Sequence, residues 1–497
     1  MVQVAAGNRV ERTYGNWRKP VSPGIGRLGL LGTGILMLGL VTIALSAMIS
    51  LWAAVIAAVV LAVVMLPLVV QDRHGRTALQ AATARIAWWR GRSQGWHLYR
   101  SGPLGITARG SHRLPGLMAA SRLVEAQDSY GRPFAMIMIP STGHYTAVFE
   151  CAADGAALVD QDQIDTWVAY WGQWLASLSF EPSLVAASVT IETAPDLGHR
   201  LQREVGNNVD PNAPELARQA LDEIARTYPA GSAQVSTRVA VTYAAAPRPG
   251  AKRRTMEEMA REIGTRIPGL TANLAMTGAG TARPMNAAEL AKAVRVAYDP
   301  DAQSLLETLG DDDISWDKAG PVATQEYWDR YVHDSGVSVT WGMSEAPRGE
   351  VLSSVMTGLV SPHRDIARKR VTLLYRPYDP GAAAKIVERD RKDARFRISG
   401  AQTAARDAVA VAAADQSARE EAKGAGLVRF AMLVTATVRS VEELPLATAA
   451  IDTLAPPARV QLRRMYGSQA SAFAAALPLG IVLPDHLQVP AMVREAM

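Results

Sequence analysis

The chain opens on an unusual pattern: from Leu28 to Gln71 it runs for 44 residues without one charged side chain. A single helix needs only about 20 residues to cross the hydrocarbon core of a bilayer, so this stretch predicts two. Leu28 to about Met48 forms one apolar run and Leu51 to Val70 the next. The polar step Ser46 to Ser50 between them predicts a tight turn, hence a transmembrane helical hairpin over 28–70. A cleaved signal peptide fits poorly, because 27 residues precede the run and a second span follows at once.

Beyond Val70 the pattern changes to that of a folded body. Thr77 to Arg92 predicts a helix with Leu79, Ala82, Ile86 and Trp89 on one face. From Phe134 onward short alternating runs are separated by helical ones. FAMIMIP and YTAVFECA read as strands, followed by a helix with Ile164, Trp167, Val168, Trp171, Leu175 and Leu178 on its apolar face. Three Trp side chains at that spacing are read as core rather than as a base-stacking platform. Val185 to Ile191 and Val235 to Tyr243 alternate as strands, and Leu270 to Met276 is expected as another. Later come the strand Val371 to Tyr375, a helical stretch from Pro380 to about Lys423, the strand Phe430 to Val438, a helix from Ser440 to Leu454 and one more strand-to-helix step ending near Gly480.

Helix starts are marked by pairs with capping-box spacing: Asn212 with Glu215, Thr255 with Glu258, Asn286 with Glu289 and Ser440 with Glu443. Asp162 is expected to cap the Trp-bearing helix. The predicted fold class is α+β, with an amino-terminal two-helix transmembrane hairpin followed by cytosolic α/β portions made of repeated strand-helix-strand units. The predicted organisation is a basic tail (1–27), the hairpin (28–70), a basic juxtamembrane segment (71–125), a first α/β domain (126–300), a linker (301–350) and a second α/β portion (351–497).

Charge orients this plan. Residues 1–100 hold eleven Arg or Lys against Glu11 and Asp72, so the rest of the chain, with 41 basic and 45 acidic groups, is net negative. Basic residues flank the hairpin on both sides and its turn has none, which places both termini in the cytoplasm by the positive-inside rule. The expected location is the cytoplasmic membrane. Arg85, Trp88, Trp89, Arg90 and Arg92 are candidates for contact with anionic lipid at the inner leaflet. Ala54, Ala58 and Ala62, at four-residue spacing, are candidates for transmembrane packing, either within the hairpin or against other membrane subunits.

The chemistry is sparse. There is no Gly-Lys dipeptide, which rules against a phosphate-cradling P-loop. The eight His residues lack metal-ligand spacing, and the lone Cys151 cannot supply a multi-thiolate site. A net charge of +5 is too small for a protein coated in nucleic acid. No cofactor, catalytic residue or metal ligand is implied, and no direct sequence-specific nucleic-acid binding. The basic loop Pro247 to Arg254 is read as solvated, and Asp311 to Asp313 as exposed. An enzyme acting on a lipid-linked or nucleotide substrate is the alternative, with Asp160, Asp162 or Asp334 as its acids.

Two segments resemble a known family. AAELAKAVRVAYDP (Ala287 to Pro300), and RFAMLVTATVRSVEELPLATAAIDTL (Arg429 to Leu454) leading to SQASAFAAALPLG (Ser468 to Gly480), look like the amino-terminal, non-ATPase portion of conjugation-type (type IV) secretion ATPases. Gln469, Phe473, Leu477, Pro478 and Gly480 carry that likeness. Over most of its length the chain also resembles an actinobacterial family of two-span membrane proteins of integrative conjugative elements, through RTYGNWRKP, QDRHGRT, HLYRSGPLG and TGHYTAVFECAADGAALVD. The abundance of Arg over Lys, 44 to 8, points to the same GC-rich source. A two-span anchor before a cytosolic domain is similar to the EccE component of type VII secretion. The motor module of the ATPases is missing. The resemblance therefore implies a membrane-anchored scaffold whose partners are a separate secretion ATPase, other membrane subunits and copies of itself.

Overall fold

The computed structural model describes residues 12–17, 28–72, 75–105, 107–153, 155, 158–196, 199–227, 233–246, 250–308, 314–347, 349–398 and 405–487. Asp311 to Asp313, residues 247–249 of the basic loop and most of the basic tail lie outside them; the rest of that loop is exposed up to Arg253. Two helices long and apolar enough to cross a membrane, α1 (Gly29–Ile49) and α2 (Leu51–Val69), form the hairpin. Its turn is narrower than the expected Ser46 to Ser50. Ser46 stays helical, its hydroxyl bonded back to Thr42 O at 2.7 Å, and Ser50 alone reverses the chain while its Oγ caps α2 through Ala53 N at 3.1 Å.

Helix α3 (Ala78–Ser93) begins at a complete capping box of Thr77 and Gln80 and leads into strand β1 (Leu98–Arg100). Strands β2 (Arg122–Gln127), β3 (Pro133–Ile139) and β4 (His144–Ala152) follow, then α4 (Gln161–Ser177), β5 (Leu184–Pro195), α5 (His199–Asn208), α6 (Glu215–Thr227) and β6 (Ala233–Ala244). Next come α7 (Met256–Leu274), β7 (Thr281–Pro284), α8 (Ala287–Tyr298) and α9 (Ala302–Thr308). The remainder is β8 (Ala323–Glu326), β9 (Tyr331–His333), β10 (Gly336–Glu345), α10 (Thr357–Val360), β11 (Arg368–Pro377), α11 (Pro380–Ile398), α12 (Ala405–Ala422), β12 (Val428–Val438), α13 (Leu444–Leu454), β13 (Gln461–Arg464) and α14 (Gln469–Ala475).

Several expectations change. Leu270 to Met276 is helical, because the Thr255–Glu258 box launches α7 and Met259, Ile263, Ile267, Leu270 and Leu274 continue its buried face. Asp160, not Asp162, occupies the cap position of α4, and Asp162 lies in the first turn. Asn212 precedes its helix: it sits in a turn whose backbone N–H bonds Asp210 Oδ1, and Pro214 O receives the first helical bond. The stretch from Pro380 is two helices, α11 and α12. Residues 301–350, expected as a linker, supply β8, β9 and β10 to the sheet.

All the strands belong to one antiparallel sheet, ordered β1-β8-β9-β10-β12-β11-β5-β6-β4-β3-β2, with β7 against β4 and β13 against β10. From the seam between β5 and β11 the same elements run outward both ways: β5-β6-β4-β3-β2 on one side, β11-β12-β10-β9-β8 on the other. The connections match as well, with α4 and α10, the pairs α5–α6 and α11–α12, then α7 and α13, then α8 and α14 in equivalent places. Registers agree residue by residue. Phe149 lies opposite Val239 and Pro284, as Trp341 lies opposite Val434 and Arg464. Val239 faces Val189 and Val434 faces Val371, which makes Thr190 the counterpart of Thr372. Those two residues pair with each other across the seam. The body is therefore two structural repeats about a pseudo-twofold axis through Thr190 and Thr372, an isologous contact within one chain.

One sheet face is apolar and is covered by α4 and α7 in the first repeat and by α10 and α13 in the second. The other face carries hydroxyl pairs between neighbouring strands: Thr146 with Thr242 (3.0 Å), Thr190 with Thr372 (3.3 Å), Ser338 with Thr437 (2.7 Å) and Thr340 with Thr435 (3.0 Å). Helix α8, α14 and the segment after α14 close over it. Trp174 is buried, stacked on Trp171 at 4.9 Å, which is the core role expected for the Trp-bearing helix.

Candidate functional site at the membrane junction

The hairpin, α3 and the second repeat meet where the apolar span ends. Within the hairpin the facing residues are Gly32, Leu36, Gly39, Ile43 and Ser46 of α1 and Ala54, Ala57, Leu61 and Met65 of α2. A Cβ on Gly39 would collide with the Leu61 methyl groups, so Leu61 packs in its place because Gly39 lacks one. Ala54 belongs to this contact. Ala58 and Ala62 are exposed, because each four-residue step turns the stripe a further ~40° away from the contact.

Helix α3 packs on the body through the face of Ala81, Ala84, Trp88 and Gly91, which leaves the Leu79, Ala82, Ile86 and Trp89 face outward. Trp88, placed by sequence at the lipid surface, is half-buried and lies edge-on to Trp328 with ring centroids 5.9 Å apart. Leu79, Ile86 and Trp89 remain 43%, 65% and 74% exposed, and Arg85, Arg90 and Arg92 are exposed with them. The outward side of α3 is therefore both apolar and cationic. At the other end of the hairpin, Tyr14 exchanges backbone hydrogen bonds with Val351, both 2.8 Å, and its hydroxyl donates to Asp165 Oδ1 at 2.8 Å. Burial, helped by Asp165, pushes the Tyr14 hydroxyl pKa up to about 12. The chain entering the hairpin and the chain leaving it both touch the body.

The segment 469–480 is a core element. Gln469 is fully buried: its carbonyl accepts from Thr340 N at 2.8 Å and its amide donates to Thr340 O (3.2 Å) and Met465 O (3.1 Å). Phe473 is enclosed by Tyr298, Tyr331 and His333, with the Arg370 guanidinium over its ring at 5.5 Å. Leu477 and Pro478 are buried, Thr372 Oγ1 donates to Ala476 O at 2.7 Å, and Gly480, at φ +68°, lies so close to Thr146 and Thr242 that a side chain there would displace their hydroxyls.

Below Phe473, Glu192 of β5 is bound by Arg368 (2.9 Å) and Arg370 (3.0 Å) of β11 and by Arg238 (3.4 Å) of β6. Burial alone would raise the carboxyl pKa, but Arg370, Arg368 and Arg238 hold it well below the usual carboxylate range. No sequence pattern announced this network, because its members come from three strands and meet only when β6, β5 and β11 pair.

The acids of the enzymatic alternative are dispersed. Asp160 and Asp162 are exposed at the start of α4. Asp334 sits in the β9–β10 turn at φ +29°, accepts from Val322 N and Ala323 N at 2.9 and 3.0 Å, and pairs with Arg295 at 3.0 Å. His333 beside it is fully buried between Tyr298 O (2.6 Å) and Ser338 Oγ (2.8 Å), and burial pushes its pKa down to about 4. Burial likewise lifts the Cys151 thiol to about 12, which leaves it a poor nucleophile.

A domain of unknown function, DUF8461, matches residues 21–80, which cover the hairpin and the start of α3. No curated protein matches the chain.

Proposed function

We propose that the protein is a membrane-anchored, non-catalytic structural subunit of a secretion machine, conjugative (type IV-like) or type VII-like, which docks a separate ATPase at the inner leaflet. The observation that carries this reading is that described residues before and after the hairpin both rest on the body, Tyr14 on Asp165 and Trp88 on Trp328, with almost no polar turn between the two apolar helices. Such a body lies against one leaflet and exposes nothing of size beyond the other. The charge flanking the hairpin makes that leaflet the cytoplasmic one. The outward face of α3 supports contact with anionic lipid.

The resemblance of Ala287 to Pro300 and Ser468 to Gly480 to the non-motor part of conjugation ATPases supplies the machine. Against the enzymatic alternative stand the structural duties of Asp334 and His333 and the exposure of Asp160 and Asp162. Purification of the full-length protein in mild detergent, followed by identification of co-purifying subunits, tests the assignment. A secretion ATPase in stoichiometric amount is the expected result; hydrolysis of ATP by the protein alone, or a solitary subunit under every mild condition, overturns it.

A further inference from the structure

Where α2 leaves the apolar span, a cavity of about 820 Å³ opens between the end of the hairpin, α3 and the second repeat. Val70 and Gln71 stand at its rim, which sets it at the headgroup depth of the leaflet on the body's side. Among the described residues four guanidinium groups line it, Arg76, Arg85, Arg463 and Arg464, against two carboxylates, Asp72 and Asp452. Its lining is thus cationic by two charges, four minus two. Trp328, Trp341 and Tyr466 form aromatic walls.

The arginines are not equivalent. Arg464 is already engaged: it donates to Thr448 Oγ1 at 3.1 Å, lies over the rings of Trp341 and Tyr466, and reaches Asp329 at 3.9 Å. Arg463 is half-buried and forms no ion pair among the described residues. Loss of water and the like charge of Arg76 both disfavour its protonated form, with Asp72 opposing them.

The internal duplication provides a comparison. Arg283 of β7 lies opposite Glu150, and Arg463 of β13 lies opposite Gly342, so the two arginines occupy the same place in their repeats. Arg283 is neutralised twice, by Glu150 at 2.5 Å and by Glu289 at 2.7 Å. Neither acid has a counterpart around Arg463. Glu150 corresponds to Gly342, and Glu289, third residue of α8, corresponds to Ser471, third residue of α14. The repeat that faces the end of the span is the one in which this arginine lacks its carboxylates.

We infer that this cavity binds the phosphate headgroup of an anionic lipid, with Arg463 and Arg76 clamping the phosphate and the aromatic walls enclosing the glycerol region. Guanidinium groups suit phosphate oxygens because paired N–H donors match them in geometry and charge, and Trp and Tyr are the side chains favoured at headgroup level. The inference rests on the membrane reading above and adds to it a defined headgroup site, which shares Arg85 with the exposed face of α3.

The test uses the full-length protein in detergent, titrated with short-chain phosphatidylglycerol, with phosphatidylcholine as the neutral lipid and with glycerol phosphate and inorganic phosphate as free headgroups. Native mass spectrometry and thermal unfolding are read together. Phosphatidylglycerol is expected to remain bound at one per chain and to raise the melting temperature, and phosphatidylcholine to do neither. Arg463→Gln and Arg76→Gln should each weaken retention about tenfold. Without lipid, Arg463→Gln should melt no lower than the parent, since it relieves repulsion, and this shows the variant is folded. Arg283→Gln, in the neutralised counterpart, should bind lipid as the parent does. Equal retention of phosphatidylcholine, or undiminished phosphatidylglycerol binding by Arg463→Gln, overturns the site. Equal stabilisation by free phosphate overturns the lipid as its source. Carbonate extraction separates the two levels: release into the supernatant removes the membrane reading itself, whereas a chain that stays in the pellet without headgroup preference removes only this site.

Discussion

Thr190 and Thr372 hold equivalent positions in the two repeats and are also each other's cross-strand partners, their hydroxyls 3.3 Å apart at the centre of the sheet. Because they lie on the pseudo-twofold axis, a change at either acts on the seam that joins the halves. Thr372 additionally holds the segment after α14 through Ala476 O. Replacing Thr372 with Val keeps the shape but leaves a buried carbonyl without its donor. The expected loss is about 1–3 kcal/mol, read as a lower denaturation midpoint, with Thr190→Val costing less because Thr190 makes no bond to that segment. Equal losses would contradict this asymmetry.

Acid should destabilise the body in two stages. His333 and His144 are both pushed down to about 4 by burial, which for His144 outweighs Asp485 at 3.7 Å. In the unfolded chain each takes up a proton near 6.5; in the fold each stays neutral until about 4. The unfolded state therefore binds more protons between these values, so stability is complete above about pH 6.5 and falls as pH drops towards 4, by on the order of 3 kcal/mol per histidine. Glu192, whose folded pKa is depressed by its three arginines, adds stability that is full above its unfolded pKa of about 4.3 and is lost below it. Denaturation midpoints measured from pH 8 to pH 2 check this, and His333→Gln should remove roughly half of the upper stage. An unchanged slope in that variant would refute the assignment.

Removing the charge of Glu192 while keeping its size strands Arg238, Arg368 and Arg370 together inside the sheet. Glu192→Gln should cost about 3–5 kcal/mol, as expected for an uncompensated buried charge, and its melting temperature should rise again when Arg370→Met is added. A double variant no more stable than Glu192→Gln alone would show that the arginines are not the source of the loss.

The hairpin discriminates its two alanine faces. Gly39→Leu should force α1 away from α2, measured as a loss of proximity cross-linking between the helices, while Ala58→Leu and Ala62→Leu, on the outside, should leave that cross-link intact. If the outer variants instead part the hairpin, the packing face has been assigned to the wrong side.

The proposed lipid contact of α3 is checked with fluorophores on Trp89→Cys and Trp88→Cys in vesicles containing bromolipid. Quenching is expected at position 89 and not at 88, because Trp88 is turned onto Trp328. Arg85→Glu, Arg90→Glu and Arg92→Glu together should lower the quenching at 89 at low salt, since each basic group near anionic lipid contributes about 1 kcal/mol. Quenching unaffected by the three charges would limit the contact to the apolar side chains.

Local signals in the sequence reached far. The uncharged run gave both spans within a residue or two, and the Thr255–Glu258 and Asn286–Glu289 boxes marked helix starts that the structure contains in full. Helical periodicity set Leu79, Ala82, Ile86 and Trp89 on one face with Arg85 and Arg92 off it, because a helix places residues three and four apart together, and all six are exposed. Trp88 was misjudged for the same reason: periodicity identifies a face but not what covers it. Leu270 to Met276 failed because four alternating apolar residues suit a strand or the end of a helix, and α7 was already under way.

The amino-acid sequence by itself determined the two apolar helices, the α+β class and the lack of a Gly-Lys dipeptide, since each depends on neighbouring residues or on composition. Tertiary structure decided the rest. The duplication about Thr190 and Thr372, the burial of Glu192 among three arginines and the missing carboxylates around Arg463 are relations between residues more than a hundred positions apart in one or more of their members. Strand pairing brings such residues together, and pairing register is fixed by the burial of whole sheet faces, which no local pattern records.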